Sequence, residues 1–206
     1  NGDDFLINGS KVFGTNSAEA EVFLIYLRFG PGVDGIGSAI IEKGTPGFEI
    51  GPSYRYMNGE FWSPLYFDNC RIPESNILLG AGGFKKQISG FNIERLGNAA
   101  RAVAVGRKAF SEACEHAKTR QQFGRDICEF QGLQWKFAEM EMRLEAAQLL
   151  LLRAVTKADS NLPSAQDAAL AKLACNEAGF FAANEALQVM GALGFSDDNI
   201  VQYCVR

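Results

Sequence analysis

The spacing of apolar positions changes once along this chain, near residue 82. Before that point apolar residues come in short runs broken by glycine and proline. "FLINGSKVF" at 5–13 sets Asn8-Gly9 between alternating residues, the signature of a tight hairpin. "VFLIYLRF" at 22–29 is a dense β-type run, and "GSAIIEK", "FEIG" and "LYFDNCRIP" are further short strands between Gly/Pro turns. Strands at this spacing predict a small antiparallel barrel or sandwich, with Pro73 and Gly80 marking its exit.

From Gly82 onward the period is helical. A long helix is predicted over 83–118. A second, over about 129–158, places Phe130, Leu133, Phe137, Met140, Leu144, Ala147 and Leu151 at alternating steps of three and four, the period of a helix–helix seam. In "NLPSAQD", Ser164 can cap a third helix with Asp167 at its third position, and the two glycines of "GALGF" end that helix near Gly191. A fourth helix is expected after "SDD", cut off by the end of the sequence. The predicted fold class is therefore α+β: a small antiparallel β-barrel domain over 1–81, then an antiparallel four-helix bundle over 82–206 with a truncated last helix. Gly97 and Gly132, inside helices, are expected to allow close helix packing.

Composition narrows the function classes. Of the 206 residues 47% are hydrophobic, enough for a sizeable core. A net charge of −4 gives no reason to expect nucleic acid or an anionic membrane as partner. No apolar run approaches the roughly 18 residues of a membrane span. Five scattered cysteines (Cys70, Cys114, Cys128, Cys175, Cys204) lack CxxC pairing, which argues against a disulfide framework or a zinc site and for a reducing compartment. His116 is the single histidine, so a histidine triad or multi-histidine metal site is hard to build. The opening "NGDDFLING" reads as neither signal peptide nor helix entry, and "VQYCVR" ends without a cap, so a fragment of a longer protein is expected.

Four stretches carry candidate chemistry. "HAKTRQQFGRD" at 116–126 joins two helices around a Phe123–Gly124 turn and holds Lys118, Arg120 and Arg125; it is either an anion clasp or a cationic helix C-terminus. "QVMGALGF" at 188–195 either lets backbone amides approach a ligand or is a plain helix cap. In "KVFGTN", Phe13 and Thr15 alternate onto one side of a strand, where a ring and a hydroxyl could hold a flat heterocycle or simply join the core. In "FNIERLGN", Glu94 is either a base facing a substrate or half of an ion pair with Arg95.

The order of these stretches resembles the acyl-CoA dehydrogenase flavoprotein family over essentially the whole chain. The carriers are "NGSKVFGTN", "FDNCRIPESNILLG", "ERLGNAARAVAVG", "KTRQQFGRDICEFQGLQWKFAEM" and "ALQVMGALGF". The resemblance implies three domains, N-terminal helices, a middle β-barrel and a C-terminal four-helix bundle, of which this chain holds most of the last two. It implies FAD, placed between β-domain and bundle and completed by a neighbouring subunit of a homotetramer. By that resemblance Phe13 takes the place of an aromatic flanking the flavin ring, and Thr15 that of the hydroxyl bonding it. Arg120 and Phe123 match residues reaching the FAD pyrophosphate and adenosine of a partner subunit, and Gln131 a nearby helix start. Gln188, Gly191 and Ala192 match a Q-x-x-G-G turn on the dinucleotide, with Ala192 a departure. Phe91, Asn92 and Arg95 lie on the stretch facing the CoA chain.

The implied reaction takes a proton from the carbon α to a thioester while a hydride leaves the β carbon. In some members the base lies on a later loop, beyond residue 206 here; in isovaleryl-type and long-chain-type members it sits in an E-R-L sequence, which Glu94-Arg95-Leu96 matches. A G-x-R pattern usual in the family is missing from "YMNGEFWSPLYF", which carries Phe61 and Trp62, so the acyl group is left open between a standard fatty chain and an unusual or aromatic one. An electron-transferring flavoprotein is the expected electron acceptor, and cytoplasm or mitochondrial matrix the expected location. Rival readings on the same fold are an oxidase, an enoyl-CoA reductase, a flavin monooxygenase, or a non-catalytic subunit.

Overall fold

The structure is a computed structural model and describes residues 4–158 and 161–206. The first three residues of "NGDDFLING" thus lie outside it. Among the described residues no helix is long and apolar enough to cross a membrane. The chain divides into two units, Asn1–Ile88 and Ser89–Arg206.

The first unit is built from two antiparallel sheets. One carries β1 (Asp4–Thr15), β4 (Phe48–Ile50), β5 (Tyr54–Arg55) and β6 (Phe61–Pro73), with β6 paired to the other three; the second has β2 (Val22–Arg28), β3 (Ile36–Glu42) and β7 (Ile77–Leu79) in the order β2-β3-β7. Both sheets feed one core, with Phe23 edge-on to Phe48 at 5.0 Å and Phe48 stacked on Phe67 at 5.0 Å. The rings alternate inward along their strands, as period-2 burial requires.

The Asn8-Gly9 hairpin is not formed. β1 runs straight through that dipeptide and pairs with β6 from Asp4↔Pro73 to Thr15↔Trp62. The dipeptide instead faces a bulge. Between Ile7↔Cys70 and Gly9↔Phe67 the β6 strand carries one extra residue, and Asn69 sits there at φ +48°. The Asn8 side-chain oxygen accepts the Asn69 backbone N–H at 2.8 Å, and Gly9 takes φ +139°. The turn-forming residues were used to accommodate a partner strand's bulge, a long-range demand that local reading misses.

The second unit is a helical bundle: α1 (Phe84–Thr119, beginning in the first unit), α2 (Gln131–Ala158), α3 (Ala165–Met190) and α4 (Ile200–Val205), with a small hairpin of β8 (Gln121–Gln122) and β9 (Arg125–Asp126) between α1 and α2. The expected seam on α2 is buried at Met140, Leu144, Ala147 and Leu151, with Phe137 packed against it. Ser164 caps α3 through the Asp167 N–H at 3.0 Å. Arg107 on α1 reaches Glu145 at 2.8 Å and Gln148 at 2.7 Å on α2, and Lys136 pairs with Glu185 between α2 and α3.

Close helix approach happens elsewhere than at Gly97 and Gly132, where an added Cβ would meet nothing within 4 Å. It happens at Gly106 and Gly179: a Cβ on Gly106 would lie 2.7 Å from the Gly179 Cα, so α1 and α3 meet backbone to backbone there. Small residues on α3 (Ala171, Cys175, Ala178, Ala182) are buried in the same helical core, and the Cys175 thiol reaches the Ala147 carbonyl of α2 at 3.4 Å. All five cysteines are free, and burial pushes the Cys70, Cys114, Cys175 and Cys204 thiols above their ordinary range, which keeps them protonated.

Candidate functional site

In the helical unit the cationic linker and the glycine turn come together. A cleft of about 470 Å³ is lined by His116 and Arg120 at the end of α1, Gln122 and Ile127 from the hairpin segment, and Val189–Leu193 at the end of α3. Of the residues singled out from sequence it gathers Arg120, Gly191 and Ala192. Gln188 stands exposed beside it and lends its carbonyl to cap Gly191. Gln131 is exposed as the first residue of α2.

Local chemistry explains why the chain folds this way. Phe123 at φ +54° and Gly124 at φ +80° form a two-residue turn with both central residues left-handed, which matches the twist of the flanking strands. The Arg120 carbonyl accepts the Ile127 N–H at 2.8 Å, closing the base of the hairpin over a buried Ile127. Gly191 takes φ +57°, ψ −138°, a conformation of glycine, and the space a side chain would need is open. An exposed guanidinium, an imidazole, a side-chain amide and an open glycine corner form a donor set suited to a phosphate-type anion.

His116 was not assigned a role by sequence. Its position one turn before Arg120 on the same helix face is the signal that could have found it. Burial and the neighbouring Arg120 charge both push its pKa below the ordinary 6.5, so it is held neutral near pH 7.

In the β unit, Thr15, Trp62 and Tyr54 lie directly opposite one another across β1, β6 and β5, and so share a face. Between Lys11↔Leu65 and Gly14↔Ser63 the β1 strand carries one extra residue, and Phe13 sits in this bulge at φ +58°. Counting by twos is therefore not valid through Phe13. The bulge still delivers its ring to the Thr15 side, against Trp62 with centroids 4.7 Å apart. Trp62 also stacks on Tyr54 at 4.8 Å, and the Tyr56 hydroxyl donates to the Phe13 carbonyl at 3.5 Å. Thr15 is exposed, and so is Phe13 at 62%.

The third group lies on α1. Arg95 gives its Nη1 hydrogen to the Asn92 side-chain oxygen at 2.7 Å, and Asn92, 5% exposed, donates its amide to the Pro163 carbonyl at 2.9 Å. Asn92 thus anchors the helix to the α2–α3 connection and fixes Arg95. Phe91 is half-buried beside them. Glu94 is exposed and has no ion pair or hydrogen bond among the described residues, so the neighbouring Arg95 is not its partner. Adjacent helix residues point to different faces, which is why the sequential pair does not close.

Comparison with known proteins identifies relatives of the chain. A family described as "Acyl-CoA dehydrogenase, C-terminal domain" matches residues 81–206. The chain is 36% identical to an acyl-CoA dehydrogenase of Bacillus subtilis, over 98% of this chain and 55% of that protein. It is 33% identical to an acryloyl-CoA reductase (NADH) of Anaerotignum propionicum, over 95% of this chain and 51% of that protein. Among solved structures it superposes on butyryl-CoA dehydrogenase from Megasphaera elsdenii with a TM-score of 0.93 and 33% identity, covering 100% of this chain and 55% of that one. The chain therefore spans about half the length of the relatives it matches.

Proposed function

The chain belongs to the acyl-CoA dehydrogenase family, and from that premise we propose that it is the flavin- and CoA-binding portion of an FAD-dependent enzyme that desaturates an acyl-CoA thioester between its α and β carbons. Members of this family are FAD flavoproteins. The observation that carries the reading is the cleft where Arg120 meets Gly191 and Ala192, two separate stretches brought to one anion-suited corner. Its residues fit the pyrophosphate end of FAD: Arg120 and Gln122 as donors, Gly191 as the close-approach corner. Thr15 would bond the flavin ring and Phe13 flank it.

Bound FAD supplies the two-electron acceptor for the hydride leaving the β carbon. The chain's own part is proton transfer and positioning. Glu94 takes the α proton; as an exposed carboxylate without a partner among the described residues it has a free oxygen to do so. Arg95, held by buried Asn92, sets the CoA chain alongside Phe91. An acyl-CoA thioester as substrate, a homotetramer in which Arg120 and Phe123 serve a neighbour's cofactor, and an electron-transferring flavoprotein as acceptor complete the proposal.

A reductase reading rests on the likeness to the acryloyl-CoA reductase. It uses the same residues, with Glu94 returning the α proton.

The test is the visible spectrum of the full-length protein, wild type and Glu94→Gln, titrated with a panel of acyl-CoA thioesters. The expected outcome is a yellow protein bleached by one thioester, with Glu94→Gln still yellow but slowed by about 10²–10⁴. Wild-type bleaching in Glu94→Gln would place the base elsewhere, and a colourless protein would sink the flavin reading. Reduced flavin reoxidised by an enoyl-CoA faster than by any acceptor favours the reductase direction.

A further inference from the structure

Phe13 combines two costs. It is a bulky residue in the left-handed region, where a Cβ crowds the backbone, and its ring is mostly in water. Such a conformation persists only where the surroundings over-determine it, and strained residues of this kind cluster at ligand sites. Three devices hold it here. One is the bulge between Lys11 and Gly14. The next is the close approach of Gly14 to Ser17, where a Cβ would collide with the hydroxyl. The last is the Trp62 ring at 4.7 Å. Trp62 is itself fixed from the far side by Tyr54, stacked at 4.8 Å with planes 29° apart, and lies in the rung Thr15–Trp62–Tyr54.

We propose that Trp62, clamped by Tyr54, is a positioning residue that acts through Phe13: its ring backs Phe13, so that the exposed aromatic and the Thr15 hydroxyl present one surface to the planar flavin ring. This rests on the flavin reading above. The tilted contact with Trp62, its planes 49° apart, is the reason a phenylalanine suffices at position 13. A single small ring on a bulged strand would swing freely, and aromatic backing removes that freedom before the ligand arrives. It also accounts for Phe61–Trp62 as the departure from the usual family pattern in "YMNGEFWSPLYF": in this chain the segment supplies aromatic support to the ring-binding strand.

The test is a double-mutant cycle on the full-length protein, reading FAD dissociation constant and the visible circular dichroism of bound flavin for Phe13→Leu, Trp62→Leu and the double variant. Trp62→Leu should weaken FAD about three- to tenfold, the range of one aromatic pair, and change the flavin dichroism. Trp62→Phe should restore most of both. The double variant should bind no worse than Phe13→Leu alone, since the two losses are one interaction. Additive losses, or an unchanged spectrum and affinity in Trp62→Leu, would overturn the positioning role while leaving the flavin reading intact. A wild-type protein that takes up no FAD would overturn both. If Trp62→Leu does not fold, Tyr54→Leu loosens the same stack from outside. It should give a smaller loss that again vanishes in the Phe13→Leu background; a loss that persists there counts against the proposal.

Discussion

Two phenylalanines in this chain adopt the left-handed backbone conformation, Phe13 at φ +58° and Phe123 at φ +54°, and the two are held in opposite ways. Phe123 is held by its neighbours in sequence. Gly124 follows it, Gln122 pairs with Arg125, and the turn type requires positive φ at both tip positions. Its ring is 93% exposed and contributes almost nothing to the fold. Phe13 is held mainly across the sheet, by the β1 bulge against β6 and by Trp62 and Tyr56, with a local share from the approach of Gly14 to Ser17. Both lie where a cofactor contact is proposed. The contrast shows two routes to a strained, exposed aromatic: a local turn that any short peptide could encode, and a tertiary clamp that exists only once β1, β5 and β6 are assembled.

The largest expected effect breaks the local route. Gly124→Val puts a β-branched residue at φ +80°, a conformation costing such a residue about 1–2 kcal/mol or more. The hairpin then opens and takes with it the Ile127–Arg120 backbone bond. The Tm of the FAD-free full protein should fall by about 2–4 °C or more, and FAD affinity should drop along with that of Arg120→Ala, for which about ten- to a hundredfold is expected from one charge-assisted contact. Wild-type Tm and affinity in Gly124→Val would mean that the turn does not position Arg120.

A smaller effect sharpens the contrast directly. Glycine relieves the left-handed strain at either position, and its greater freedom in the unfolded chain offsets part of the gain. At position 123 no ring packing is lost beyond the distant edge contact with Phe130 at 6.2 Å, so Phe123→Gly should leave stability unchanged within about 0.5 kcal/mol. Phe13→Gly also forfeits the Trp62 contact, about 0.5–1.5 kcal/mol. The FAD-free Phe13→Gly protein should therefore melt below Phe123→Gly by about 2–4 °C. Equal midpoints would show that the Trp62 contact adds no stability and that the two positions are held alike.

The same division separates what could be read in the sequence from what could not. Elements with local causes were legible: the α2 seam from Phe137 to Leu151, the Ser164 cap, the Phe123–Gly124 turn and the glycine end of α3 all formed where their residues indicated. Features caused by a distant partner were not. Asn8-Gly9 has every local mark of a hairpin, yet it serves the bulge at Asn69. Gly97 and Gly132 looked like packing positions, while the true contact, Gly106 against Gly179, needs two helices to be known at once. Phe13 and Thr15 were placed on one side by counting, and they do share Trp62, but through a bulge that counting cannot see. Of the cleft, Arg120, Gly191 and Ala192 were legible as separate motifs; their convergence, and His116 among them, required the helix ends to meet.

His116 supplies the smallest expected effect, on the local side of the comparison. Its neighbours in the cleft are Arg120 from its own helix end, Gln122 and Ile127 from the hairpin segment, and Val189–Leu193 from α3, so among the described residues Arg120 is the one charge lining it. Burial and Arg120 hold its pKa below the unfolded value of 6.5. Between the folded pKa and 6.5 the unfolded chain binds more protons than the folded one, so stability rises with pH across that window. The contribution is fully present above about pH 6.5 and is lost as pH falls through the folded pKa. The FAD-free protein should lose a small part of its Tm over this interval, and His116→Gln should flatten that part of the profile. An anion at Arg120 cancels the positive field that depresses the imidazole, so saturating pyrophosphate should shrink the same slope in the wild type and leave His116→Gln indifferent. A wild-type slope untouched by both the substitution and the anion would mean that His116 does not sense the cleft it lines.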